Sequence, residues 1–306
     1  MNHTCAVIMS IYNPNEYFKE QLLSILNQSI NNITIYIRDD GSDEKIYLSI
    51  KKTCDKFSNI KLFRGENVGY SESFYLALCN AFQGNYDYYA YADQDDIWAE
   101  NKLSLLIETL NQNNFSDLIF SNGIVIDKYK HSLGLIYNKS YKFNNFLDCI
   151  SATTYGMTFL FTKKLASILV KTGSIPFKKY AHDDWTCIVA SVTGNVTYLN
   201  QNLVYYRQHE NNVSGFKINK QSTFLEKIIK LFNINVFLKQ WEFKISTLAK
   251  EICKYVDINN ITDDEIKFIA KNEKNSYKKL IFNSEFRSNS IYLDLIIRIL
   301  ICIKKL

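Results

Sequence analysis

Two prolines and ten glycines in 306 residues are too few to punctuate a chain into modules. No proline- or serine-rich linker divides it either, so one large unit, with or without a helical appendage, is expected. Seven cysteines, Cys5, Cys54, Cys79, Cys149, Cys187, Cys253 and Cys302, form no close pair, and several sit inside apolar runs. That excludes a disulfide framework or a zinc-ligand spacing and fits a reducing cytoplasm. The opening MNHTCAVIMSIYNP lacks a basic flank and a cleavage site, and reads as a first strand rather than a secretory signal. Residues 10–20 lack the basic glycine-rich loop with which a nucleotidyltransferase would hold a triphosphate. The apolar stretch Ile291–Ile303 is thirteen residues long and contains Asp294 and Arg298, short of the ~20 residues a bilayer-spanning helix requires.

What is present is a core-forming composition, 47% hydrophobic and 14% aromatic, with a net charge of +5. The charge is unevenly placed. From Phe216 onward 17 Lys/Arg face 10 Asp/Glu, a net of +7, and residues 1–215 carry −2. A basic excess spread along helix-period segments, without a stripe of base-stacking aromatics, argues for an anionic membrane surface over nucleic acid as partner. A solvated helix face is the plainer reading. Ile291–Ile303, backed by Lys304 and Lys305, reads as an interfacial helix or an ordinary packing helix.

Strand, loop and helix recur along the first part of the chain. Cys5–Ile11 is a β-favouring run followed by an amphipathic helix over Asn15–Asn27. Ile33–Ile37 precedes a helix over Glu44–Phe57, and Ile60–Phe63 precedes a helix over Ser71–Phe82; Tyr86–Ala92 supplies a fourth strand. This alternation predicts a parallel doubly wound sheet with its ligand beyond the carboxyl ends of the strands. The polar clusters at 12–15, 39–43, 65–70 and 93–96 fall at those ends. Beyond them the pattern predicts a helix over Glu100–Leu110 and strands over Leu118–Ile126 and Met157–Phe161 with a loop at 128–144 between. A helix over His182–Val192 and two short strands, Val196–Leu199 and Leu203–Tyr206, complete the region, and helical texture begins at Gln221.

Three carboxylates, Asp93, Asp95 and Asp96, crowd the end of the aromatic run YDYYAYADQDDIW. Like charges in such proximity are unfavourable unless a cation or donor groups gather there. A divalent ion held by carboxylate and substrate phosphate meets that need, since magnesium-like ions prefer oxygen ligands; capping of the following helix is the alternative. Asp39-Asp40-Gly41-Ser42 follows a strand and suits either nucleoside hydroxyls and imide N–H groups or simple turn chemistry. His182-Asp183-Asp184-Trp185 opens a helix, where either aspartate can be a general base or a cap. Tyr205-Tyr206-Arg207-Gln208-His209 ends a strand with a cation for diphosphate and an imidazole for a metal, and His209 is the strongest ligand candidate of four histidines.

Together the strings VIMSIYNPNEYFKEQLLSILNQS, RDDGS, GENVGYSESF, YADQDDIWAENKL, YGMTFLFTKKL, AHDDWTCIVAS and VYYRQHENNVSG resemble glycosyltransferase family 2, inverting enzymes of the GT-A fold. DQDDIW and YRQH-x-NNVSG look like the bacterial rhamnosyltransferases that build capsule, cell-wall or O-antigen polysaccharide. The resemblance implies an α/β GT-A domain over 1–216 with a mixed, mostly parallel sheet flanked by helices. Residues 217–306 would then be a helical, basic, membrane-associating region. It further implies that Ser10, Tyr12, Asp39, Asp40, Asn67 and Gly69 surround the nucleotide, and that Asp93 approaches the ribose and the metal. Asp95 and His209 would bind manganese or magnesium, Gly156 and Thr158 line the sugar site, and Arg207 meet the diphosphate. The base is implied in the HDDW string: a His-Asp anchor points to Asp183, a Glu-Asp reading to Asp184, and Asp183 is preferred. The implied donor is a dTDP- or UDP-sugar, dTDP-L-rhamnose first, and the acceptor a saccharide or lipid-linked saccharide. A UDP-hexose transferase is the runner-up; a non-catalytic carbohydrate-binding protein would have damaged carboxylates, and these are intact.

Overall fold

The computed structural model describes residues 3–112, 116–138, 141–143, 148–149, 154–210, 212, 247–262, 264, 266–267 and 298. Strands β1 (Cys5–Ile11), β2 (Ile33–Asp39), β3 (Ile60–Arg64) and β4 (Tyr88–Ala92) alternate with helices α1 (Tyr17–Leu26), α2 (Glu44–Cys54) and α3 (Tyr70–Phe82). The strands lie in the order β3-β2-β1-β4, all parallel. Helices on both faces explain why β1 and β4 read as unbroken apolar runs rather than alternating ones: Cys5 through Met9 and Tyr89 through Ala92 are wholly buried. α3 buries Ser73, Phe74, Ala77, Leu78 and Ala81 and packs on β1 and β2. Connections leave β1 in one direction towards β2 and β3, while β4 lies on its other side. The crevice at the carboxyl ends of β1 and β4 is therefore the switch point at which such sheets bind ligands.

The second half is mixed. β5 (Ile97–Trp98), α4 (Lys102–Gln112), β6 (Ser116–Ile126) and β7 (Ser132–Leu135) come first. A 3-10 turn (Gly156–Thr158), β8 (Phe159–Thr162), α5 (Lys163–Thr172), α6 (Ile175–Lys179), α7 (His182–Thr193) and β9 (Asn195–Arg207) follow. The sheet continues from β4 as β8-β6-β9-β5, with β7 beside β6. β8 is antiparallel to both β4 and β6, and β9 is parallel to β6. β4 pairs with β8 only through Tyr88 and Tyr89. Past Tyr89 the two strands part, and the Gly156–Thr158 turn enters beside the end of β4.

Several sequence expectations needed correction. The two short strands near 196–206 are one strand: Ser121 faces Leu199 and Asn122 faces Asn202, so the polar Asn200-Gln201 step is accommodated by a bulge rather than a break. β7 lies inside the expected loop at 128–144. The expected strand start at Met157 is a turn, and α5, not anticipated, is capped by Thr162 Oγ1 accepting from Leu165 N. Its buried Leu165, Ala166, Ile168, Leu169 and Thr172 carry a helical period that was open to reading.

Of the basic tail, helical residues 247–255 bury Leu248, Ala249 and Ile252 in the same core. Lys179 Nζ meets Glu251 at 2.8 Å, and Thr262 N donates to Val192 O at 2.8 Å. Part of this tail thus packs on the helices that frame the cleft. Apart from Arg298, Ile291–Ile303 lies outside the described residues. Among the described residues no helix is long and apolar enough to cross a membrane, and every described cysteine is a free thiol.

Candidate active site

A cleft of about 530 Å³ opens at the carboxyl ends of β1 and β4. Ser10, Tyr12, Asp40, Asn67, Gly69, Asp93, Asp95, Gly156, Asp183 and Asp184 all line it. Strand-end geometry delivers the first of these, while α7, far along the chain, brings its first turn in from the opposite side.

At the β1–β2 end of the cleft, Asp40 is 2% exposed and its carboxylate is already engaged. It accepts from Val68 N and Gly69 N at 3.0 Å each and pairs with Arg38, which also donates to Ser73 Oγ and Glu66 O. Asp40 thus fastens the 65–69 loop onto the sheet. Gly41 has φ +83°, and a Cβ there would sit 3.0 Å from Asn67 N, so only glycine lets the two loops touch without strain. Ser10 Oγ donates to Ser73 Oγ at 2.6 Å, and Tyr12 N donates to Gln94 Oε1 at 2.9 Å, leaving the Tyr12 ring half-exposed over the cleft. Asp39 does not reach it: fully buried, it receives Ser42 N and pairs with Arg64 at 3.2 Å.

The carboxylate cluster is assembled by the two-residue strand β5. Ile97 pairs with Tyr205 and Trp98 with Val204, antiparallel, which draws the end of β9 against Asp95 and Asp96. Arg207 N then donates to Asp96 Oδ1 at 3.0 Å, Arg207 Nε donates to Asp95 O at 3.0 Å, and His209 Nε2 lies 2.8 Å from Asp95 Oδ2. Burial, with Asp95 and Asp183 adding repulsion, pushes the Asp93 carboxyl up to about 8. Burial likewise raises Asp96 well above the usual carboxylate range. Asp95 and His209 face one another as a carboxylate and an imidazole, a donor pair that suits manganese or magnesium when diphosphate oxygens supply further ligands. Among the described residues no three His, Cys, Asp or Glu side chains form a metal-sized cluster.

Arg207 is not the diphosphate cation its position suggested. At 1% exposure its guanidinium pairs with Glu20 at 2.6 Å and lies 4.3 Å over the Tyr17 ring, tying α1 to the carboxylate loop. Thr158 is also withdrawn: it is fully buried and its hydroxyl donates to Tyr155 O at 2.6 Å. Sequence reading missed Lys102. Its buried Nζ donates to Met157 O at 2.7 Å and sits 3.2 Å above the Trp98 ring, fixing the Gly156–Thr158 turn against the carboxylate loop. Tyr70, Phe74, Tyr155 and Tyr206, which give the cleft aromatic walls, were missed as well. Tyr70 directly follows the glycine loop, which was the one available signal.

At the far end, α7 presents Asp183. Its Oδ2 accepts from Gly156 N at 3.1 Å and its Oδ1 from Asp184 N at 2.9 Å. Burial pushes its carboxyl up to about 6 against the opposing pull of those N–H groups. A carboxylate poised near neutrality, open to a cleft and oriented by two donors has the properties of a general base.

The sequence profile described as glycosyl transferase family 2 matches residues 6–167. The dTDP-rhamnosyl transferase RfbG of Shigella flexneri is 30% identical over 229 residues, covering 71% of this chain and 76% of that protein. The Escherichia coli glucosyltransferase WfgD, described as UDP-Glc:alpha-D-GlcNAc-diphosphoundecaprenol beta-1,3-glucosyltransferase, is 26% identical over 155 residues, covering 49% of this chain and 59% of that one. Among solved structures, S. aureus TarS 1–349 in complex with UDP-GlcNAc superposes with a TM-score of 0.57 at 16% identity, covering 87% of this chain and 70% of that chain. The mixed α/β sheet, the crevice beyond β1 and β4 and the sequence match lead to one conclusion: the chain belongs to glycosyl transferase family 2 and has the GT-A fold.

Proposed function

We propose that this protein is an inverting, metal-assisted glycosyltransferase that moves L-rhamnose from dTDP-rhamnose to a hydroxyl of a capsule, cell-wall or O-antigen saccharide. The observation that carries the reading is that Asp183 and the Asp93-Gln94-Asp95 loop, far apart in sequence, line one cleft. One end gathers carboxylate and imidazole for a diphosphate-bound cation, and the other holds a base.

Asp183 accepts the proton of the acceptor hydroxyl, whose oxygen attacks the anomeric carbon from the side opposite the diphosphate. The diphosphate departs in a single displacement with inversion, so a β-linked donor gives an α-linked product. Gly156 N and Asp184 N keep the carboxylate aimed. Asp95 and His209 would hold the cation, and Asp93, beside them, would meet the ribose. When bound, the metal neutralises charge developing on the leaving diphosphate. Dissociated Asp183 is required, and Asp184 lies beside it as the alternative base.

The donor choice rests on RfbG, a relative with a dTDP-rhamnosyl name. A second reading, transfer of a hexose from a UDP-sugar, is supported by the likeness to WfgD. Thermal melting with manganese separates them. Under the first reading dTDP raises the melting temperature more than UDP at equal concentration; a larger shift with UDP selects the second.

The tail's net charge of +7 and the apolar stretch Ile291–Ile303 with Lys304 and Lys305 favour attachment to the cytoplasmic membrane face, where a lipid-linked acceptor would lie. Each basic residue near an anionic surface contributes about 1 kcal/mol. Removing residues 288–306 is expected to release the protein from phosphatidylserine-containing vesicles while donor hydrolysis persists. Equal sedimentation of both forms at moderate salt removes the membrane role.

A further inference from the structure

The transfer chemistry above leaves one buried amine without a task. Lys102, the first residue of α4, is wholly buried, and burial pulls its pKa well below the usual lysine range, with Cys5, Asp96 and Asp93 acting the other way. Taking an amine out of water costs more than one carbonyl contact returns. α4 buries Lys102 beside Leu103, Leu106, Ile107 and Leu110, where methionine would fill the same space without that cost. Stability alone does not account for a lysine here.

What the amine touches is the turn that carries a partner of the base. Lys102 Nζ donates to Met157 O at 2.7 Å, and the preceding residue, Gly156, donates its N–H to Asp183 Oδ2 at 3.1 Å. The turn is gripped from two sides, by α4 and by α7. Its α4 side is anchored independently of the turn, since Gln28 Nε2 donates to Ala99 O at 2.7 Å and Leu103 N donates to Gln28 Oε1 at 3.0 Å. The sheet gives less support, because β4 and β8 pair only through Tyr88 and Tyr89. Without the amine the buried Met157 carbonyl loses this donor, and the turn, not the anchored helix, is the part that shifts.

We propose that Lys102 is a positioning residue: by holding the Met157 carbonyl it keeps Gly156 N on Asp183 Oδ2 and so aims the carboxylate at the acceptor hydroxyl. The role rests on Asp183 being the base. When the turn shifts, the carboxylate keeps Asp184 N on Oδ1 but loses the contact that fixes its second oxygen, and it turns about the first. A misplacement of about 1 Å at a reacting group costs on the order of 10²-fold in rate, so a tether one residue from that contact has a measurable effect. Because α4 follows β5 and the Asp93–Asp96 loop in the chain, the same amine ties the carboxylate end of the cleft to the base.

The test is a double-mutant cycle on the full-length chain with Lys102→Met, Asp183→Asn and the two combined. Hydrolysis of dTDP-β-L-rhamnose and of UDP-glucose in manganese gives kcat and KM, and amide hydrogen exchange is followed over residues 155–160. Lys102→Met is expected to lower kcat by about 10–10²-fold with KM unchanged, and to speed exchange across the turn. Added to Asp183→Asn it costs nothing further, because the two act through one carboxylate. A charge effect at the Asp93–Asp96 end would instead persist in the Asn background. Should Lys102→Met fold poorly, Lys102→Gln, one bond shorter and out of reach of Met157 O, takes its place in the cycle. Full turnover in the substituted protein, the same fold loss in both backgrounds, or unchanged exchange over the turn overturns the proposal. Normal turnover by Asp183→Asn removes the base assignment and this role with it, while the exchange result reports on the tether alone, so the two failures are distinguishable.

Discussion

Asp183→Asn is expected to lower turnover by about 10²–10⁴, the usual worth of general-base catalysis, while donor affinity in manganese stays near wild type. The amide keeps the shape and an acceptor for Gly156 N but takes no proton. Because the wild-type carboxyl is raised to about 6 by burial and the base acts ionised, activity rises with pH through about 6 and levels off above it. The Asn variant lacks that limb. Stability provides a second sign. A carboxyl whose folded pKa lies above its unfolded value contributes fully below about pH 4 and loses that contribution as pH rises through about 6. The melting temperature of Asp183→Asn relative to wild type should therefore climb between pH 4 and 6 and stay constant beyond. If Asp184→Asn is the crippled protein and Asp183→Asn turns over normally, the base belongs to the neighbouring residue.

Asp95→Ala is expected to abolish manganese-dependent nucleotide binding, weakening it by at least ~10², since loss of even an outer partner of a metal site costs 10–100-fold. The fold should survive: Asp95 is partly exposed, and removing it relieves the repulsion that helps raise Asp93 and Asp96. Melting curves with dTDP or UDP, with and without manganese, check both points. Wild type should show a metal-dependent upward shift and the variant only the metal-independent remainder. Undiminished manganese-dependent transfer by Asp95→Ala would falsify the assignment of the ligand.

The β1 to β4 half of the molecule was open to reading because its signals are local. Continuous apolar runs such as Cys5–Met9 announce strands buried on both faces, and helices with one apolar stripe announce what covers them. From those elements the crevice follows by topology, and with it the positions of Asp93 and Asp95 at strand ends. Residue type, too, narrowed the chemistry: three carboxylates at one strand end are stable only beside a cation or donors, and an aspartate next to tryptophan at a helix start can serve as a base.

What the amino-acid order could not convey was which polar groups would be used up by neighbours. Asp39, Arg207 and Thr158 look as reactive on paper as Asp95, yet Arg64, Glu20 and the Tyr155 carbonyl engage them inside the protein. Lys102, which the sequence pattern did not single out, is a buried tether. The two-residue β5 falls below any period a pattern can register, although its pairing with Tyr205 and Val204 is what sets His209 beside Asp95. Local sequence determined the strands, the helices and the kinds of side chain at their ends, because those depend on a few neighbouring residues. The split between β4 and β8 and the approach of α7 were decided by tertiary packing, because they depend on contacts between segments distant in sequence, whose pairing no local pattern encodes.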